Sequence, residues 1–205
     1  MRNLFLLLMS FLCLSISTDA QTVYSPGPDY KMNENPNGVW SFGYGTVGGD
    51  FTPFTKNLKR GTGSWWEGNE GWKGVFFNPG NQDMTMSGGF VVKNGMVVMH
   101  PGNGRDHLSK IKFVAPEDGT YDVNVKWTAM DDGSGTTKKK WAWVMTNAAS
   151  ATGQTYKSTP KGYKEVFTKG IIGYNQSAQY AAALTLKKVE EKIAKYAKVA
   201  LERML

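Results

Sequence analysis

The sequence predicts an all-β protein, an antiparallel β-sandwich with an amphipathic helix added at its C-terminal end. Three observations predict it. Tyr121, Val123, Val125 and Trp127 alternate with Asp122, Asn124, Lys126 and Thr128, the two-residue period of a strand with one dry and one wet face. The 205 residues include 24 Gly, 7 Trp, 9 Tyr and 10 Phe, a composition of turns and aromatic strands. Near the end, Val189, Ile193, Tyr196, Ala200 and Met204 recur at helical spacing with Lys and Glu opposite them.

Residues 1–20 read as a secretory leader: Arg2 is basic, Leu4 to Leu14 is apolar, and Thr18-Asp19-Ala20 carries small residues at the cleavage positions. The apolar run is too short to span a hydrocarbon core of about 30 Å as a lasting helix. An exported protein, extracellular or periplasmic, is therefore expected, with no transmembrane segment in its mature chain. The one cysteine, Cys13, lies inside the leader, so the mature chain has neither disulfides nor thiolate metal ligands. About 185 mature residues are enough to bury a sandwich interior without such staples. The formal charge of +7 favours acidic partners in general. Lys138-Lys139-Lys140 stands close to Asp131-Asp132 and residues 187–205 mix both signs, so no basic stripe forms and nucleic acid is not an expected partner.

In chain order, residues 21–38 hold Pro26, Pro28 and Pro36 and read as an extended lead-in rather than a packed element. The sandwich domain is expected over 39–186. Its first strand is Val39 to Tyr44, and Pro53 demotes Thr52 to Asn57 to a short edge strand. Arg60 to Trp72 is polar and glycine-rich and reads as a loop. Phe90 to Met99 gives two apolar runs split by Lys93-Asn94-Gly95, a hairpin signal. Ile111 and Phe113 belong to the next strand, and the Pro116-Glu117-Asp118-Gly119 turn joins it to Tyr121–Trp127, so an antiparallel meander is expected. Lys138 to Thr146 is a strand whose Trp141, Trp143 and Met145 side is expected to enter the core, and Tyr163 to Thr168 is another. From Ser177 to Leu186 two readings compete. Ser177 is a fair N-cap and Ala181-Ala182-Ala183 favours helix, whereas the family resemblance given below favours strand. Residues 187–205 form the helical tail, one surface through which the chain could self-associate.

Three short pieces carry a family resemblance: Asn35-Pro36-Asn37-Gly38-Val39-Trp40-Ser41-Phe42-Gly43-Tyr44, His100-Pro101-Gly102, and Phe113-Val114-Ala115-Pro116 through Gly119-Thr120-Tyr121. In that order they resemble a jelly-roll module of exported bacterial proteins, many of which carry a PEP-CTERM sorting tail. The resemblance spans roughly residues 35–186. It implies a fold like that of carbohydrate-binding modules, a strand from Tyr180 to Leu186, and an HPG turn that ends a strand without a catalytic role. It does not extend to a sorting tail, so attachment to the envelope is not carried over.

Trp65, Trp66 and Trp72 lie among Arg60, Glu67 and Asn69. Indole faces stack on the C–H faces of sugar rings and the polar neighbours can bond hydroxyls, so these six are the candidate ligand-binding residues, with plugging of one end of the sandwich as the competing role. His100, Asp106 and His107 are the weaker candidates for a metal, and Asp131 and Asp132 for calcium, but neither set has a recognised ligand spacing and no cofactor is expected. No HExxH, GxSxG or recognisable carboxylate pair is present, so no catalytic residue is assigned. The leading reading is a secreted, non-catalytic module that binds carbohydrate or another cell-envelope polymer. A structural or interaction module comes second, and a metal-assisted hydrolase using His100, Asp106 and His107 third.

Overall fold

A computed structural model of the chain describes residues 21–188 apart from 32, 47–48, 61–62, 68–72, 87–88, 101–107, 131–139, 156–158, 160 and 172–175, with the backbone alone at 60, 63–67, 140–141 and 171. Its strands, in chain order, are β1 (Trp40–Gly45), β2 (Thr52–Pro53), β3 (Lys56–Arg60), β4 (Gly63–Glu67), β5 (Gly74–Phe77), β6 (Met84–Thr85), β7 (Val91–Val92), β8 (Val97–His100), β9 (Leu108–Phe113), β10 (Gly119–Thr128), β11 (Lys140–Thr146), β12 (Lys164–Ile171) and β13 (Ser177–Leu186). The protein is all-β, with no helix among the described residues. All pairings are antiparallel and form small sheets ordered β2-β1-β9, β3-β4-β5-β8, β6-β7, β10-β13 and β11-β12.

The first core lies where β5 meets β1 and β9. Phe42, Phe54 and Val75 are buried there, with Tyr30, Trp40, Tyr44, Val97, Met99 and Ile111 packed around them. Alternation explains the β1 contribution, since Trp40, Phe42 and Tyr44 share one face. The opposite face at Gly43 needs the absence of a side chain, because a Cβ there would strike the Thr52 carbonyl oxygen and the Phe51 ring. Ser109 links the two sheets: its hydroxyl accepts the Gly74 N–H at 3.0 Å and donates to the His100 carbonyl. The Lys110 ammonium donates to the Gly49 and Asp50 carbonyls at 2.9 and 3.0 Å. Burial lowers its pKa, and the nearby Asp50 charge pulls the other way.

The lead-in is packed, contrary to expectation, and bends through a turn at 26–29. Tyr30 lies against Phe42 and Phe77 at 5.0 and 5.2 Å between ring centroids, and Tyr24 lies 5.5 Å from Phe113. A knot of polar bonds fixes the segment. The Asp29 carboxylate accepts the Ser25 N–H at 3.0 Å and the Trp40 indole N–H at 2.9 Å, and the buried Asn37 amide donates to the Asp29 carbonyl. Asn37 and Trp40 exchange backbone bonds across Gly38, whose φ of 54° requires glycine's freedom. Prolines excluded regular structure here but left room for aromatic anchors.

The second region pairs β10 with β13 over ten residues, from Gly119↔Leu186 to Thr128↔Ser177. Residues 177–186 are therefore strand, three residues longer than the Tyr180–Leu186 strand the resemblance implied, and the tertiary ladder outweighs the helix propensity of the alanines. The alternating exposure of β10 is as its sequence predicts, with odd-numbered residues half-buried and even-numbered ones exposed. Ala115, Ala148, Ala151, Leu184 and Leu186 make one cluster under this ribbon, and Ala129, Ala142 and Ala178 another. Trp127 stacks on Phe167 at 5.7 Å and 7°. On β11 the buried residues are Ala142 and Thr146 while Trp143 is only half-buried, so the aromatic side is not the fully buried one. The register shift at Val144/Met145 leaves Val166 of β12 as the extra residue, so β11 keeps its own alternation and Ala142 and Thr146 stay on one side. Of the predicted helical tail, 187–205, only Lys187 and Lys188 are described, and neither is helical; the rest lies outside the described residues.

The expected meander does not form. Gly95, at φ 72°, and the Met96 N–H to Lys93 carbonyl bond make a real turn, but β7 pairs with β6 and β8 with β5. Likewise the turn at 116–118 carries the chain from β9, paired with β1, to β10, paired with β13. Nor is β10 joined to β11 as a hairpin, since β11 pairs with β12.

Asp118 clips the ribbon's end, accepting from the Lys187 ammonium at 2.7 Å and the Lys188 N–H at 2.8 Å. These bonds hold its pKa below the ordinary carboxylate value. Just below that ordinary value the unfolded chain binds more protons, so the contribution of Asp118 is present at neutral pH and lost as pH falls through its lowered folded value. Urea midpoints measured through the acid range should fall less steeply for Asp118→Asn than for the parent, and identical slopes would show that the clip contributes nothing.

Candidate functional site

The tryptophan-rich stretch is built on β3 and β4, at the edge of the four-stranded sheet. Gly63–Glu67 is strand rather than the predicted loop, paired on one side with β3 and on the other with β5. Glycine content suggested a loop, but hydrogen-bonded neighbours on both sides override composition. Trp65 stands in register between Leu58 and Phe76, and Trp66 between Asn57 and Val75. The two-residue strand period assigns positions 65 and 66 to opposite faces of the sheet. Arg60 pairs with Gly63 at the turn end of the β3–β4 ladder, and Glu67 pairs with Lys56 at the other end. Trp72 and Asn69 lie outside the described residues.

The two sides of this sheet differ. β5 is buried along its whole length, whereas edge strand β3 exposes Lys56, Leu58 and Lys59. Asn57 leans inward, and its amide lies 3.4 Å from the Tyr30 hydroxyl. Edge charges of this kind discourage unwanted strand pairing. They also supply cations beside the candidate tryptophan positions.

One neighbour of the site was not foreseen. Lys73 is 2% exposed, and its ammonium sits 3.8 Å from the centroid of the Tyr44 ring. Tyr44 in turn stacks on Phe54 at 5.6 Å. A buried cation over an aromatic face anchors the start of β5 to β1. The local signal was a lysine directly before the Gly-Val-Phe-Phe run, but its ring partner is distant in the sequence.

His100 is the last residue of β8, opposite Gly74, and is exposed. Asp106, His107, Asp131 and Asp132 lie outside the described residues. Among the described residues no three His, Cys, Asp or Glu side chains gather where a metal ion could be held. Among them also, no helix is long and apolar enough to cross a membrane. Compared with known protein families, curated proteins and solved structures, the chain has no match.

Proposed function

We propose that the chain is an exported, non-catalytic β-sandwich module of jelly-roll type that binds carbohydrate or another cell-envelope polymer. Trp65, Trp66 and Trp72 are the stacking residues in this reading, and Arg60, Glu67 and Asn69 bond hydroxyls or acidic groups. The observation that carries it is the placement of the tryptophan-bearing β4 beside an edge strand exposing Lys56, Leu58 and Lys59. Flat apolar faces flanked by charge suit a sugar polymer better than a buried small molecule. A ladder of this kind tracks an extended chain, and the lysines favour one bearing carboxylates or phosphates.

The sandwich itself is part of the proposal: the β1 and β5 sheets face one another across the Phe42 core, and the β10 and β11 ribbons across the alanine clusters. The resemblance to exported jelly-roll modules supports the same architecture. Export rests on the leader-like residues 1–20.

The test is a polysaccharide pull-down or glycan array with Trp65→Ala, Trp66→Ala and Trp72→Ala. At least one substitution should weaken binding by about tenfold or more while the thermal midpoint of the folded chain holds, the behaviour of an aromatic hot spot. Because positions 65 and 66 belong to opposite faces, the two should not lose binding equally. Retention of binding by all three folded variants would refute the assignment.

A further inference from the structure

The long edge of β10 points to a second copy of this chain. We propose that two copies join β10 to β10 in antiparallel register centred on Asn124, making a continuous sheet ordered β13-β10-β10-β13. This proposal is independent of the carbohydrate reading.

The backbone sets which groups face outward. Ala129 donates its N–H to the Gln176 carbonyl at 2.9 Å, in phase with the β10–β13 ladder. Odd-numbered residues of β10 therefore exchange bonds with β13, and Thr120, Asp122, Asn124, Lys126 and Thr128 turn their N–H and C=O groups to the other edge. Among the described residues β10 pairs with β13 alone. A ten-residue strand with such an edge is a template for another strand.

The side chains select the register. Pairing about Asn124 sets Asp122 opposite the second copy's Lys126 and Thr120 opposite its Thr128, each twice by symmetry. These even-numbered pairs are the hydrogen-bonded ones, so the backbone and charge requirements coincide. Centring instead on residue 122 or 126 would set like charges face to face, which is unfavourable. On the half-buried face the same register sets Tyr121 against Trp127 and Val123 against Val125, extending the apolar side of both ribbons. Within one copy, Asp122 and Lys126 face the uncharged Ala183 and Gln179 across the ladder, so both charges remain available at the surface.

Sedimentation equilibrium of the chain recovered after export tests this. A reversible monomer–dimer equilibrium is expected, with Asp122→Lys and Lys126→Asp each weakening it by about tenfold or more. The combined exchange should restore it to within about threefold of the parent, since the opposite charges face again. Asn124→Pro, which deletes an outward N–H that β13 does not use, should abolish the dimer while near-ultraviolet circular dichroism is unchanged. A parent that stays monomeric to about 100 µM, a dimer indifferent to single reversals, or failure of the combined exchange to restore it would overturn the proposal.

Discussion

Phe42→Ala should destabilise the folded chain by about 3–5 kcal/mol, the range for removing a fully buried aromatic side chain. Phe42 has no exposed surface and joins Phe54 and Val75 at the centre of the first core, with Tyr30 5.0 Å away. The cavity would open between β1 and β5, and neither strand can move freely into it. Ser109 ties β9 to β5 and β8, and Lys73 holds β5 against Tyr44. Collapse would therefore be partial and the cavity cost retained. Urea unfolding followed by tryptophan fluorescence measures the change. A loss below about 1 kcal/mol would mean that this cluster is not the centre of the cooperative unit.

The second large effect is expected at Asn35. Its amide donates to the Phe42 and Phe54 carbonyls, both at 2.7 Å, and its oxygen accepts the Phe42 N–H at 2.8 Å. A single side chain thus serves as the missing strand neighbour for β1, beyond the point where the two-residue β2 has ended. Asn35→Ala should cost about 2–4 kcal/mol, because the Phe42 N–H and the Phe54 carbonyl lose these bonds beside buried rings, while the Phe42 carbonyl keeps the Phe54 N–H at 3.0 Å. Asn35→Asp is the sharper probe. At neutral pH its carboxylate would face two carbonyl oxygens and lose both donated bonds, so it should be at least as unstable as the alanine variant. Acid should return part of that stability, as protonation supplies one donor and the raised folded pKa makes stability rise as pH falls. Equal stability of the Asp variant and the parent at neutral pH would rule out this role.

These two residues show what was legible in the sequence. The alternation of Trp40, Phe42 and Tyr44 announced a strand, and that of Tyr121 to Trp127 announced which side was dry, because both depend only on neighbours two positions away. Strand partners were not legible. Asn94-Gly95 and Pro116-Glu117-Asp118-Gly119 carry the chemistry of a bend, but a bend does not say whether the next strand returns to the same sheet. The resemblance to jelly-roll modules drew on Asn35, Asn37 and Trp40, and in the structure these residues brace the lead-in against β1. At the candidate site, Trp65 and Trp66 were expected in a loop, and both positions lie on β4. Gly63 and Gly68 weigh toward a loop only when the flanking ladders are unknown. Lys73 escaped notice because a lysine is usually a surface residue and its burial depends on Tyr44, nearly thirty residues earlier.

The way the bends pass the chain between sheets has a bearing on how the protein is made. Trp40 cannot meet Phe113, nor Gly119 meet Leu186, until most of the polypeptide has emerged. Although β3, β4 and β5 pair locally, the β1–β9 and β10–β13 ladders join distant stretches, so completion of the fold should be late and governed by long loop closures. On the proposed reading of an exported chain, such delay would leave the long β10–β13 ladder unformed until passage across the membrane is nearly complete.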